Sequence, residues 1–106
     1  MLKREKRRYL ALKVVGEQPP TEQVVLDAVQ ASLHRLFGEY GASKANLKLV
    51  KRPEKGQIVI RCSHRALEQV RAAIASTTVI DGKAGAIHVA GVSGTLKALS
   101  EKTGSS

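Results

Sequence analysis

The spacing of apolar residues changes several times along the chain, and the order of these changes is the feature that most restricts the fold. Apolar and polar residues alternate from Arg8 to Val15, the pattern of a half-buried strand. After a break at Gly16–Pro20, Thr21 offers a hydroxyl to cap a helix that we expect to end at Gly38. Residues Gly38–Ser43 are predicted to form a linker. The chain therefore begins with a strand followed by a helix.

The second half of the chain returns to strands and a helix in a fixed order. Apolar residues alternate on both sides of the Pro53–Gly56 turn, which predicts a β-hairpin. Ser63 then offers a cap for a second helix. The elements predicted in this half are a hairpin of strands over 47–50 and Gln57–Cys62, a helix that ends near Ser76–Thr78, a loop that contains Asp81-Gly82 and Gly85, a last strand over Ala86–Val92, and a short helix over Thr95–Lys102 with Ser93 as its cap.

The order βαββαβ, followed by a short helix, predicts a split βαβ sandwich of the ferredoxin-like or RRM-like α+β class. Two helices would cover one face of a four-stranded antiparallel sheet whose first and third strands are central. The 106 residues fit a single domain over 1–106, with residues 1–6 and 103–106 expected to lie outside the ordered part. The first helix has a wide apolar side, and either the second helix or a partner protein covers the excess.

The sheet face opposite the helices is predicted to be open, basic and poor in aromatic residues. Single-stranded RNA readers of this topology stack bases on aromatic residues of the two central strands. Of the two central strands here, the first offers one ring, Tyr9, and the third offers Val59 and Arg61, so base stacking on the sheet is not expected. The residues predicted on this face are Tyr9, Ala11, Lys13, Lys48, Val50, Val59, Arg61, His88 and Ala90.

The net charge of +9 comes entirely from two short stretches, residues 1–13 and 44–55, since basic and acidic residues balance elsewhere. Charge confined to parts of an otherwise neutral domain is typical of a docking surface for a polyanion. An alternative for Lys48, Lys51 and Lys55 is that they protect an edge strand from aggregation, although their clustering favours binding for the set. The predicted phosphate contacts are Lys3, Arg4, Lys6, Arg7, Arg8, Lys13, Lys44, Lys48, Lys51, Arg52, Lys55 and, on the open face, Arg61.

The sequence carries no recognisable catalytic chemistry. His34, His64 and His88 lie on three different predicted elements, and no carboxylate is spaced to orient any of them as a general base. The single cysteine, Cys62, excludes an internal disulfide, fits a reducing cytoplasmic setting and is most simply a small core residue. Gly16–Pro20 lacks the arginine and glycines of an acylphosphatase loop. We therefore predict no catalytic residue, no metal ligand, no cofactor bound by the protein and no membrane segment.

Four segments of the sequence carry a family resemblance. They are Lys6–Leu10 at the start of the first strand, Gly41–Ser43, Gly56–Cys62 and Gly91–Leu99. Through them the chain resembles archaeal ribonuclease P protein component 2 from about residue 3 to residue 99. The most specific part is Val92–Thr95, which also fits the start of a helix capped by Ser93.

The resemblance implies a protein subunit of the ribonucleoprotein that removes the 5′ leader from precursor tRNA, with catalysis by the RNA and its Mg²⁺ and not by the isolated chain. The implied partners are ribonuclease P RNA, precursor tRNA within the holoenzyme, component 3 and a second copy of the chain. Charge alone equally allows a generic structured-RNA-binding or ribosome-associated module. A small-molecule-binding or acylphosphatase-like domain is a third interpretation, disfavoured by the missing loop chemistry.

Overall fold

A computed structural model describes residues 6–16, 20–50 and 58–102 of the chain. The predicted order of strands and helices is confirmed there, with a short additional hairpin before the last strand. The elements are strands β1 (Arg7–Val15), β2 (Lys48–Val50), β3 (Ile58–Ser63), β4 (Val79–Ile80), β5 (Lys83–Ala84) and β6 (Ala86–Ser93), helices α1 (Glu22–Ala45), α2 (Leu67–Ser76) and α3 (Leu96–Lys102), and a 3₁₀ turn (His64–Ala66) before α2.

The main sheet is antiparallel and has the strand order β2-β3-β1-β6, so the prediction that the first and third strands are central is confirmed. Leu10 in β1 pairs with Ile60 in β3 and with Val92 in β6. Together with Val29 of α1 and Val70 of α2, these side chains belong to one apolar core. Helices α1 and α2 therefore cover the predicted face of the sheet.

A bulge in β6 changes the alternation that the sequence predicts for this strand. Ala11 pairs with Gly91, but the next residue, Leu12, pairs with Val89, so Ala90 is the extra residue. Beyond the bulge, Val92 packs against the core formed with α1 and α2. Because of this one additional residue, the side chains beyond the bulge point to the opposite faces from those that strict alternation predicts.

Helix α1 begins at the predicted residue but does not end at the predicted one. The Thr21 hydroxyl accepts a hydrogen bond from the Val24 amide at 3.3 Å. At Gly38, φ is 75° and the helix breaks, yet residues 39–45 are helical again and end at Asn46 in the left-handed conformation. The prediction of a linker over Gly38–Ser43 was therefore wrong. The second segment is helical because Ala42 and Ala45 bury their side chains in the core.

Helix α2 takes part of the excess apolar side of α1. Inside their contact, the Ser32 hydroxyl lies 2.8 Å from the Thr77 hydroxyl, which also donates to the Ala73 carbonyl at 2.8 Å. Just before the break in α1, by contrast, Leu36 and Phe37 stay exposed. Of the two alternatives for this apolar side, the second helix therefore accounts for the part around Ser32 and leaves Leu36 and Phe37 uncovered.

The start of α2 and the loop after it contain local structure that the sequence pattern does not show. Ser63 precedes a 3₁₀ turn, and α2 itself begins at Leu67. The predicted loop forms the β4–β5 hairpin, in which Asp81 and Gly82 both have positive φ, as a type I′ turn requires. Its strands are two residues long, too short to produce a recognisable alternation.

Helix α3 packs on the sheet face that the sequence predicted to be open. Leu99 lies on Ala11 and Val59, and all three are fully buried, with Tyr9 and Val50 packed around them. The prediction of an open face was therefore wrong at its centre, because an apolar residue of the last helix replaces solvent there.

The cap of α3 also differs from the prediction. The Thr95 hydroxyl accepts a hydrogen bond from the Ala98 amide at 3.1 Å, which is the capping contact. The buried Ser93 hydroxyl instead accepts from the Thr95 amide at 3.5 Å and supports the turn before the helix.

Candidate nucleic-acid interface

The predicted phosphate contacts fall into two groups with respect to the structure. Those within the described residues are Lys6, Arg7, Arg8, Lys13, Lys44, Lys48 and Arg61. Those outside the described residues are Lys3, Arg4, Lys51, Arg52 and Lys55, together with the predicted Pro53–Gly56 turn.

A row of paired residues crosses the sheet beside α3 and brings two cations together. Lys48 of β2 pairs with Arg61 of β3, and Arg61 pairs with Tyr9 of β1. Tyr9 packs in the cluster under Leu99, so by alternation this row lies on the face that carries α3. Directly paired residues have Cβ atoms about 4.5–5.5 Å apart. The side chains of Lys48 and Arg61 therefore emerge next to each other.

The adjacency of Lys48 and Arg61 has an electrostatic cost. Like charges placed directly opposite each other destabilise an antiparallel pair. Lys48 is exposed and Arg61 is half-buried, with its stem along the sheet. An anion bound between them would remove the repulsion, so this row is suited to holding a phosphate.

Arg7 and Lys13 extend the basic surface along β1. Both are exposed and share the α3 face with Tyr9 by strand alternation. They lie on either side of α3, about 20 Å apart along the strand. Lys13 pairs with the exposed His88 of β6. Cations therefore surround the position where α3 rests on the sheet.

Arg8 does not join this group. It alternates to the other face of β1 and pairs there with Cys62. One guanidinium nitrogen of Arg8 donates to the Arg7 carbonyl at 3.0 Å, and the same nitrogen would lie 3.5 Å from a Cβ placed on Gly94. Arg8 therefore lies against the chain at the end of β6 rather than beside Arg61.

Lys6 and Lys44 lie away from the paired row. The Lys6 carbonyl accepts a hydrogen bond from the His64 amide at 2.9 Å, which joins the start of β1 to the 3₁₀ turn. The Lys44 ammonium lies 5.3 Å from the centre of the Tyr40 ring, on the second segment of α1. The second basic stretch therefore begins on a helix and not on a strand.

Two further cationic or titratable residues border the same face and were not predicted as contacts. Lys97 is exposed on α3, and His88 is exposed beside Lys13. No signal in the sequence pointed to Lys97, because the position of α3 on the sheet is a long-range packing result.

Cys62 is buried in the core, as the sequence predicts. Burial raises the pKa of its thiol to about 11, and the positive charge of Arg8 offsets only part of this rise. The thiol is therefore protonated at neutral pH and is a poor nucleophile.

Neither a metal centre nor a membrane-spanning helix is found among the described residues. Among residues 6–16, 20–50 and 58–102, no group of three His, Cys, Asp or Glu side chains is arranged to hold a metal ion. In the same ranges, no helix has the length and apolar character required to cross a membrane.

The chain is similar to known proteins over most of its length. The profile of the Rpp14/Pop5 family matches residues 8–103. The chain is 37% identical to ribonuclease P protein component 2 of Methanosarcina mazei, across 93% of this chain and 84% of that protein. It is also 37% identical to the protein of the same name from Thermococcus gammatolerans, across 93% of this chain and 83% of that protein.

A solved structure has the same fold. A chain in the cryo-EM structure of yeast ribonuclease MRP matches with a TM-score of 0.70, across 91% of this chain and 79% of that chain. The two sequences are 12% identical, so this likeness concerns the fold alone.

Proposed function

Because the chain belongs to the Rpp14/Pop5 family, we propose that it is an RNA-binding protein subunit of ribonuclease P, which removes the 5′ leader from precursor tRNA. In this proposal the RNA and its Mg²⁺ carry out the cleavage, and the protein supplies positive charge that lets the RNA adopt its active fold. The chain binds the phosphate backbone of the folded RNA rather than reading its bases.

The observation that carries this proposal is the row formed by Lys48 and Arg61 beside α3. Two paired strands fix the Cα atoms of Lys48 and Arg61 opposite each other, so the two side chains start from neighbouring points before any ligand arrives. Arg7 and Lys13 continue the same face. Phosphate contacts of this kind set affinity and orientation and carry no direct sequence information.

The buried centre of the sheet supports backbone recognition over base reading. Leu99 covers Ala11 and Val59 on the two central strands, and it is on these strands that a single-stranded RNA reader of this topology stacks bases. The apolar surface of the central strands is thus used for packing α3. What remains accessible on this face is largely cationic.

Protein partners belong to the proposal as well. We propose that the chain associates with ribonuclease P protein component 3 and with a second copy of itself in the holoenzyme. Leu99 is not available for these contacts, because it faces the sheet. Exposed apolar residues remain elsewhere, among them Val15 on β1 and Val79 on β4. Co-purification of component 3 with the chain tests this part.

Reconstitution tests the proposed function directly. Ribonuclease P RNA would be assembled with and without this chain and component 3, and precursor-tRNA cleavage would be measured as Mg²⁺ is lowered. We expect the chain to preserve cleavage at Mg²⁺ concentrations at which the RNA alone is inactive. Cleavage that is unchanged at low Mg²⁺ would reject the proposal. Equal binding to unrelated structured RNAs would favour a generic RNA-binding module.

A further inference from the structure

Two of the three aromatic residues of the chain lie next to the break in α1. Phe37 precedes Gly38, whose φ of 75° interrupts the helix, and Tyr40 follows it in the second segment. A Cβ placed on Gly41 would lie 2.7 Å from the Phe37 Cβ, closer than two side-chain carbons approach. Gly38 therefore permits the break, Gly41 leaves room for the Phe37 Cβ, and Tyr40 is exposed on the second segment.

Tyr40 is the most exposed large apolar side chain in the described part of the protein, at 76%. The Lys44 ammonium lies 5.3 Å from its ring centre, within the range of a cation–π contact. A cation over one face of a ring this exposed leaves the other face accessible to a ligand. The site therefore offers a flat aromatic surface with a positive charge attached to it.

The charges around Tyr40 favour an RNA ligand over an apolar protein surface. Lys44 begins the second basic stretch, which continues into Lys48 of β2. An apolar partner that covered Tyr40 would also desolvate the Lys44 ammonium, which is costly without a counter-charge. A nucleotide supplies both a planar base and a phosphate.

We propose that Tyr40 and Lys44 form a stacking site for one unpaired nucleotide of the bound RNA. The base lies on the open face of Tyr40, and the Lys44 ammonium contacts the phosphate of the same or the adjacent nucleotide. Proteins that bind single strands use this combination of aromatic ring and cation. The inference rests on the proposed function, in which the chain binds RNA, and adds a contact to a looped-out base outside the sheet.

Substitution of Tyr40 tests the site. Because the side chain is exposed, Tyr40→Ala is expected to fold normally. It should weaken binding to ribonuclease P RNA by at least about fivefold, the low end of the effect of losing one stacked base. Tyr40→Phe should retain wild-type affinity. The salt dependence of binding should stay unchanged in Tyr40→Ala, because no phosphate contact is removed.

Leu36→Ala is the matched control, since Leu36 lies just before the break in α1, close in sequence to Tyr40, and is 45% exposed but has no ring. A stacking site predicts that this variant keeps full RNA affinity. A protein-docking patch predicts that Leu36→Ala and Tyr40→Ala both reduce association with component 3 or self-association, with RNA affinity intact, and that result would overturn the proposal.

Fluorescence provides a direct readout, because the chain has no tryptophan. We expect a single-stranded oligouridylate to quench the tryptophan fluorescence of Tyr40→Trp. An RNA duplex of the same length should not quench it. Equal quenching by both RNAs, or by neither, would refute stacking. If the wild-type chain binds ribonuclease P RNA with normal salt dependence and Tyr40→Ala binds equally well, the stacking site fails while the proposed function stands.

Discussion

Replacing the adjacent cations Lys48 and Arg61 by glutamine tests the basic row and gives opposite signs for binding and stability. The double variant keeps both side-chain stems along the sheet and removes two positive charges that face each other across β2 and β3. Each lost phosphate contact reduces the magnitude of the negative slope of log affinity against log salt by about 0.7–0.9. Because the two cations hold one phosphate between them, the slope should become shallower by about 0.7–0.9. Between about 50 and about 200 mM salt, the affinity difference from wild type should narrow about threefold.

The stability of the same variant moves in the other direction, because the substitution removes like charges that were directly opposite each other. We expect the free energy of unfolding to rise by up to about 1 kcal/mol, measured by denaturant unfolding of the free protein. The matched control is Arg65→Gln with Arg71→Gln, two exposed cations on the 3₁₀ turn and α2. An unchanged salt slope in Lys48→Gln/Arg61→Gln, or an equal change in the control, would refute the reasoning.

Three further predictions concern the free protein and are measured by denaturant unfolding. Leu99→Ala should lower its stability by about 2–5 kcal/mol, because Leu99 is fully buried between α3 and the sheet; a loss below about 1 kcal/mol would contradict this packing. Gly41→Ala should destabilise by up to about 2 kcal/mol net, since the contact of the added Cβ with the Phe37 Cβ costs about 1–3 kcal/mol and the helix propensity of alanine offsets about 1 kcal/mol of it. The control Gly16→Ala, whose Cβ would lie 3.8 Å from its nearest neighbour, should be close to neutral. Burial raises the pKa of the Cys62 thiol from 9.0 to about 11, so the thiol's contribution to the free energy of unfolding is complete below pH 9 and falls by up to about 2.7 kcal/mol as pH rises towards 11. Cys62→Ala should not show this fall between pH 9 and 11. Wild type and Cys62→Ala that lose stability in parallel over this pH range would disprove the prediction.

The parts of the fold that depend on short-range pattern were predictable from the sequence. Alternation in β1 and β3 identified both central strands, and the hydroxyl of Thr21 marked the start of α1. These signals lie within a few residues of the structure they determine. Right-handed crossover connections then restrict the order of the strands, and the predicted sheet topology is the one observed.

The parts that depend on long-range packing were not predictable. Gly38 was read as the end of a helix, but the chain resumes the helix because Ala42 and Ala45 gain burial in the core beyond it. Leu99 lies far in sequence from Ala11 and Val59, and no local pattern specifies that they meet. The row of Lys48 and Arg61 was predicted residue by residue, yet their pairing depends on the register of the hairpin. Their contact with RNA stays a prediction.

The position of α3 determines how a nucleic acid can approach this sheet. Leu99 occupies the centre of the face, so an RNA that approaches the described part of this face meets the cations around the helix rather than the central strands. The Cα atoms of Arg7 and Lys13 are held about 20 Å apart on one strand, so the two side chains start from fixed points. A flexible single strand would lose conformational entropy to place its phosphates at both ends, whereas a folded RNA already holds its phosphates at fixed distances. We therefore expect this face to select RNA by shape, and the preference for folded over single-stranded RNA should weaken when Arg7 or Lys13 is replaced by glutamine.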